Sequence, residues 1–325
     1  MASPSQGSGP MSDTEDGKVR SLKYGEMTWT DILDPTQTEM AMLERQYHFH
    51  PLDLESCLSE RQLTKVEDHE DHFFISLHFP DQVDPGVIVS RQVSMFLGKD
   101  YLVTIHLSSF KTPSAIFQSC KDDEKQRIAF MKSPTYLAYR IIDKLVDGIF
   151  SILDDVQDSL DSIEAVVFDE KRSSAGAINS VRRQIAILRR IVYPMVLFLP
   201  DLTRTQKFGK EDLTIYFSDL DHKVGKVSRT IEDMKDTVEI YKDTDFVISS
   251  DRTNSVLSIL TILFTLTIPA TVISSIYGMN VPLPGGIVTG PLEFFGPYTS
   301  LLFIFAAMLI PAALMALYFK RVGWF

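Results

Sequence analysis

Four residues with distinct chemistry, Tyr277-Gly278-Met279-Asn280, stand together near the end of the chain, between two uncharged apolar runs. The asparagine carries a carboxamide oxygen that accepts hydrogen bonds, the glycine allows the backbone to turn tightly, and the tyrosine suits a membrane–water interface. Other residues that could do chemistry fall short of a catalytic pattern. His48 and His50 are two apart, and His69, His72 and His78 lie near a strand. They form no HExxH, and no cysteine joins them, so they are expected as polar strand and loop residues rather than zinc ligands. There is no GxxxxGK[ST], hence no phosphate cradle for ATP, and no serine sits in a nucleophile elbow. No catalytic residue is assigned, and the chain is read as not being an enzyme.

The elements that must position Tyr277–Asn280 are the two apolar runs, Val256 to Ile276 and Tyr298 to Phe319. As helices each spans roughly 30 Å, about one bilayer core, and in lipid a single segment satisfies its backbone only as a helix. Arg252 precedes the first run, Lys320 and Arg321 follow the second, and the connection between them holds one acid, Glu293, and no Lys or Arg. The positive-inside rule therefore puts both outer ends in the cytosol and the Tyr-Gly-Met-Asn turn on the far side. Neither run carries an acid or lysine that could relay protons.

The rest of the chain is different in character. The net charge is −11, carried by the first 250 or so residues, which argues against a nucleic-acid partner. Two cysteines, Cys57 and Cys120, form no disulfide framework and suit a reducing compartment. Residues 1–15 are expected to be a disordered leader, either vector-derived ahead of Met11 or natural. Residues 16–132 read as a mixed α/β domain. Pro51 to Ser59 is a short helix after His50. Phe73, Ile75, Leu77 and Phe79 alternate with Phe74, Ser76 and His78 as in a strand, Asp81 to Gly86 reads as a loop, and Val93–Leu97 and Tyr101–Leu107 are strands joined at Gly98-Lys99-Asp100. From Ser133 the pattern is helical. Two helices, Tyr136–Asp169 and Ala177–Leu199, precede a third that begins near Lys210. The third carries Leu213, Phe217, Leu220, Val224, Val227, Ile231, Met234, Val238 and Tyr241 at alternating steps of four and three, a coiled-coil-like seam. No breaker separates Val227 from the first apolar run, so this helix is expected to continue to about Ile276, some 100 Å at 1.5 Å per residue. Such a helix must pack either on copies of itself or on the two helices before it.

With these features in place, the chain from about Trp29 onward resembles the CorA-type divalent-cation transporter family. The likeness is strongest from Asn254 to Asn280, ending in Ser274-Ser275-Ile276-Tyr277-Gly278-Met279-Asn280, and is reinforced by the second run and the basic end at Lys320 and Arg321. The resemblance implies an α+β fold: a cytosolic α/β domain (16–132), a cytosolic helical region (133–253) with a very long helix, and a two-helix C-terminal transmembrane hairpin. The pore-lining span would be 254–277, the outer loop 278–297, the lipid-facing span 298–320 and the basic cytosolic tail 321–325. Five chains would form a funnel-shaped homopentamer in the inner (plasma) membrane with both termini cytoplasmic. Tyr277, Gly278, Met279 and Asn280 would be the selectivity filter, Asn280 repeated by symmetry giving a ring of carboxamides that greets Mg2+ with its water shell intact. Helix spacing together with the family pattern puts Asn254, Leu257, Leu260, Phe264, Ile268, Thr271 and Ser275 on the pore side, the apolar ones gating by dewetting. Family members usually have Met near Leu257 or Ile268, a small residue at Phe264 and Gly at Ser275. A regulatory metal site between subunits would use Asp219 with Glu55 and Ser56, Ser56 standing where the family has an Asp.

The function implied is passive, potential-driven influx of Mg2+, with Co2+ and Ni2+ as further ions, without ATP and gated by cytosolic metal. Two other readings stand beside it: a ZntB-like Zn2+ transporter, disfavoured by Met279, and a membrane-anchored metal sensor or scaffold that conducts nothing.

Overall fold

A computed structural model of the protein describes residues 17–59, 64–167, 174–202, 212–279 and 299–323. The expected leader, Asn280 and the loop after it lie outside the described residues. The chain separates into two compact units, Met1–Lys242 and Asp243–Phe325.

The first unit is built on a six-stranded sheet in the order β1-β2-β6-β5-β4-β3. Its strands are β1 (Val19–Tyr24), β2 (Met27–Leu33), β3 (Lys65–Asp68), β4 (Phe73–Asp84), β5 (Val87–Leu97) and β6 (Tyr101–His106). Only β2 and β6 pair in parallel; the other neighbours are antiparallel. The alternation read in β4 divides its side chains between two cores. Phe73, Ile75, Leu77 and Phe79 join the large core shared with the long helices. Phe74 joins Phe96, Val103 and Ile105 in a smaller core. That second core is closed by α1 (Gln37–Tyr47) and α2 (Pro51–Leu58), which contribute Met40, Leu43 and Leu54. The expected loop from Asp81 to Gly86 is corrected: β4 runs on to Asp84 and only a tight turn at Pro85-Gly86, with Gly86 at φ +76°, separates it from β5. Pro80 is accommodated opposite Ser90, with a register shift between Gln82 and Asp84.

The other face of the sheet carries helices. After α3 (Lys111–Asp122) and α4 (Glu124–Phe130) come α5 (Pro134–Val167), α6 (Ala175–Phe198) and α7 (Thr214–Tyr277). The seam residues Leu213, Phe217, Leu220, Val224, Val227, Ile231, Met234 and Val238 are all buried in one core with residues of α5 and α6, such as Ile149, Val156, Ile185 and Leu188. Of the two packing options, the seam is thus spent within the chain, against the two preceding helices. Ion pairs flank it: Lys223 Nζ reaches Asp143 Oδ1 at 2.5 Å and Asp147 Oδ1 at 3.1 Å, and Arg182 Nε reaches Glu239 Oε1 at 3.0 Å.

The second unit holds the C-terminal part of α7 and α8 (Thr299–Val322). Both helices contain windows of mean hydropathy 2.3 and 2.4, and none of the α7 window is buried in the isolated chain. A core helix of a soluble protein would be covered; exposure of this much apolar surface fits a lipid or subunit surround.

Candidate functional site

The threonines in the apolar part of α7 satisfy their hydroxyls within the helix. Thr261, Thr265, Thr267 and Thr271 each donate a hydroxyl hydrogen bond to the carbonyl four residues back, at 2.6 to 3.0 Å. This is how hydroxyls are carried through a bilayer without an unpaired donor. The seven expected pore residues, Asn254, Leu257, Leu260, Phe264, Ile268, Thr271 and Ser275, share one arc of roughly 120° at about 100° per residue. All seven are exposed. The partly or fully covered residues of this stretch, Ser258, Ile262, Thr265, Leu266, Pro269, Ala270 and Ile273, occupy a different arc. The candidate stripe lies off the covered arc, as do Val256 and Leu263, which are equally exposed.

α7 ends at Tyr277. Gly278 N–H donates to Ser274 O at 2.9 Å and Met279 N–H to Ile276 O at 3.2 Å, so the chain tightens as it leaves the helix. A Cβ at Gly278 would lie 3.1 Å from Ser274 O, closer than a side chain ordinarily sits against a carbonyl. A side chain there would require the Ser274 carbonyl to give by a few tenths of an ångström; the backbone conformation itself is open to any residue. Tyr277 and Met279 are exposed. Asn280, the residue on which the filter reading turns, lies outside the described residues.

In the cytosolic unit the three expected regulatory residues differ in setting. Asp219 projects from α7 with 58% of its side chain exposed, its Oδ2 3.9 Å from Lys223 Nζ. The ammonium of Lys223 is partly buried, but Asp143 and Asp147 beside it hold its pKa above the ordinary lysine value. Glu55 is exposed on α2. Ser56 is buried, and its Oγ donates to Leu52 O at 2.7 Å. Glu55 and Asp219 lie on different elements of the unit, α2 and α7.

A cluster that sequence reasoning passed over lies on the same short helix. Asp53 is fully buried. Its Oδ2 is 2.8 Å from His69 Nε2 and its Oδ1 is 3.1 Å from Lys65 Nζ. His69 and His72 are the two ends of the β3–β4 hairpin turn, closed by His69 N–H to His72 O at 3.0 Å. One ligating atom from each of Asp53, His69 and His72 falls within 4.8 Å of the others. Burial pushes the Asp53 carboxyl above the usual carboxylate range, against the opposing pull of Lys65. The signal was present in the sequence as His-x-x-His at a hairpin, a spacing that a β-turn converts into proximity.

A second buried polar group is structural. Asp31 of β2 meets Arg20, accepts from Thr104 Oγ1 at 2.5 Å and lies 3.2 Å from His106 Nε2. Burial opposes ionisation there, yet His106, Thr104 and Arg20 together hold the carboxyl below its ordinary pKa.

Comparison with known proteins adds sequence and fold relatives over nearly the whole chain. The family described as CorA-like Mg2+ transporter protein matches residues 24–321. The cobalt/magnesium transport protein CorA of Thermotoga maritima is 29% identical over 309 residues, covering 91% of this chain and 83% of that protein. Among solved structures, the complete CorA magnesium transporter of Methanocaldococcus jannaschii superposes with a TM-score of 0.77 at 21% identity, covering 94% of both chains. Full-length CmaX superposes with a TM-score of 0.72 at 17% identity, covering 92% of this chain and 89% of that one.

Proposed function

The chain belongs to the CorA-like Mg2+ transporter family and is a divalent-cation transporter of that family, and on that premise we propose that it is a Mg2+ channel that also passes Co2+ and Ni2+. Five copies assemble around one axis in the inner (plasma) membrane, with both termini cytoplasmic. The first span of each copy lines the path and the second faces lipid. The observation that supports this reading is the exposed stripe from Asn254 to Ser275 on an uncharged stretch of α7 whose threonine hydroxyls are internally bonded. A helix of that kind offers water a path only where copies of it turn the same face to one another.

At the outer mouth, Tyr277 anchors the turn, Gly278 lets it pass close to the Ser274 carbonyl, and Met279 and Asn280 complete the filter. Mg2+ gives up its water reluctantly, so a ring of Asn280 carboxamides selects by hydrogen bonding to the hydrated ion rather than by stripping it. Below the mouth, Leu257, Leu260 and Ile268 close the path by excluding water, and Phe264 narrows it. A divalent ion moving inward gains about 4.6 kcal/mol per 100 mV, taking ~2.3 per charge, so influx needs no ATP.

Closure is regulated in the cytosolic unit. Asp219 of one subunit faces Glu55 of the next, with Ser56 behind it. Unoccupied, the acids repel; a bound Mg2+ bridges them and favours the closed, symmetric arrangement. Falling cytosolic Mg2+ then shifts the population toward the open one. Liposome flux of Mg2+ against Zn2+, with Asn280→Ala beside the wild type, tests the proposal. Mg2+ flux lost in Asn280→Ala supports it. Preference for Zn2+ would favour the ZntB-like alternative, and absence of any flux would favour the sensor or scaffold.

A further inference from the structure

We infer that Asp53, His69 and His72 form a binding site for a borderline transition-metal cation, Zn2+, Co2+ or Ni2+, separate from the pore and from the Asp219–Glu55 acids. The inference does not rest on the transport reading, because it concerns a cluster within one chain of the cytosolic unit.

Three observations support it. First, the donors converge from independent elements. Asp53 comes from α2, and the two imidazoles come from the ends of one hairpin turn, their rings stacked with centroids 4.7 Å apart. The ligating atoms lie within 4.8 Å of one another. Zn2+ at about 2.0–2.2 Å from nitrogen and oxygen needs donors a little over 3 Å apart, so the donors close on an ion by moving together by roughly 1–2 Å. Second, the rings are held in place. His72 packs at 4.7 Å from Phe49 and 5.9 Å from Phe96, both buried. On the outer side His50, the N-cap of α2, stacks on His69 at 6.2 Å. Third, the carboxylate is divided. Lys65 holds Oδ1, Oδ2 is directed at His69, and the Glu67 carboxyl lies against the same carboxyl as a further oxygen donor. Glu67, 2.9 Å from Lys65 and 3.8 Å from His69, offsets the added positive charge.

The donor set decides the class of ion. Two imidazole nitrogens with one carboxylate oxygen suit Zn2+, Co2+ and Ni2+; Mg2+ prefers an octahedron of oxygens and water. Three protein ligands leave a fourth position for water, which makes the site exchangeable rather than a closed structural one. Occupied, it would tie α2 to the β3–β4 hairpin two residues from Glu55, so a transition metal would be registered on the helix that carries the proposed Mg2+-sensing acid.

The test uses the full chain in detergent, with excess Mg2+ to occupy oxygen sites. Co2+ is titrated and followed by its visible absorption, and Zn2+ is then used to displace it. The expected result is one Co2+ per chain with a nitrogen-ligated spectrum. His69→Gln should weaken it by more than the roughly 10–100-fold that outer-shell changes cost, and His222→Gln, on a distant part of α7, should not change it. X-ray absorption on the Zn2+-loaded wild type should show imidazole scattering, which decides the matter even if His69→Gln folds poorly. An all-oxygen spectrum, absence of imidazole scattering, or unchanged Co2+ affinity in a folded His69→Gln would overturn the inference.

Discussion

Replacing Asp219 with alanine should separate regulation from stability. In the folded chain Asp219 Oδ2 is 3.9 Å from Lys223 Nζ, the outer limit of an ion pair, with side chains 58% and 30% exposed. Lys223 keeps two closer partners, Asp143 and Asp147. Exposed pairs contribute about 0.2–1 kcal/mol, so with Lys223 still held the cost of Asp219→Ala should be at the low end, about 0.5 kcal/mol or less. For a chain of this size that is a melting shift of roughly 2 °C or less. Regulation should respond far more. Each interface loses one of its two acids, and couplings of this kind typically run 1–3 kcal/mol, or about 5–150-fold in the concentration of the controlling ligand. The assay is Mg2+ flux in liposomes as a function of Mg2+ at the cytosolic face. The half-closing concentration should rise at least several-fold while the melting temperature barely moves. An unchanged half-closing concentration would refute the regulatory role, and a loss of several kcal/mol in stability would refute the reading of Asp219 as an exposed, weakly paired acid.

Three further outcomes follow from the same structure. Leu220→Ala, in the seam at 0% exposure, should cost about 2–5 kcal/mol by chemical denaturation, because its surroundings in α5 and α6 cannot collapse fully into the space. Asp31 has a folded-state pKa below its ordinary value, so its contribution to stability is complete above that ordinary value, near pH 4, and fades as the pH falls toward the folded one; thermal unfolding should lose stability on acidification below about pH 4, and Asp31→Asn should be less stable at neutral pH but flatter with pH. Single cysteines at Leu257, Leu260 and Thr271 should react with a water-soluble thiol reagent in the membrane-embedded protein at low Mg2+, where the path is open, whereas cysteines at Ile262 and Ile273 should not; equal reactivity on both faces would contradict a stripe facing water.

Much of this architecture was legible in residue order because single physical constraints act on it. An uncharged run as long as Val256–Ile276 has one economical backbone solution in lipid, and the alternation through Phe73–Phe79 has one in a sheet covered on both faces. The seam of α7 was legible as a seam but not as to its partner, since period alone does not distinguish a neighbouring chain from α5 and α6. Asp81–Gly86 was misread because Pro, Asp and Gly signal a turn without saying how short it is; pairing with β5 carries the strand to the edge of that turn. Thr36 and Glu39 form a capping box at the start of α1, a helix absent from the sequence reading. The Asp53, His69 and His72 cluster was missed because the histidines were weighed only against HExxH and cysteine patterns, without Asp53, and the hairpin that joins them appears only once β3 is paired with β4.

The claim at the centre of this account is that a hydrated Mg2+ crosses the membrane along a path whose outer mouth is formed by Asn280. The most direct measurement is Mg2+ uptake into liposomes holding the purified protein, at a series of imposed inside-negative potentials, with wild type and Asn280→Ala in the same lipid. The account predicts uptake by the wild type that grows with the potential and needs no ATP, and uptake near that of empty liposomes for Asn280→Ala. Equal uptake by the two proteins, or uptake indifferent to the potential, would contradict it.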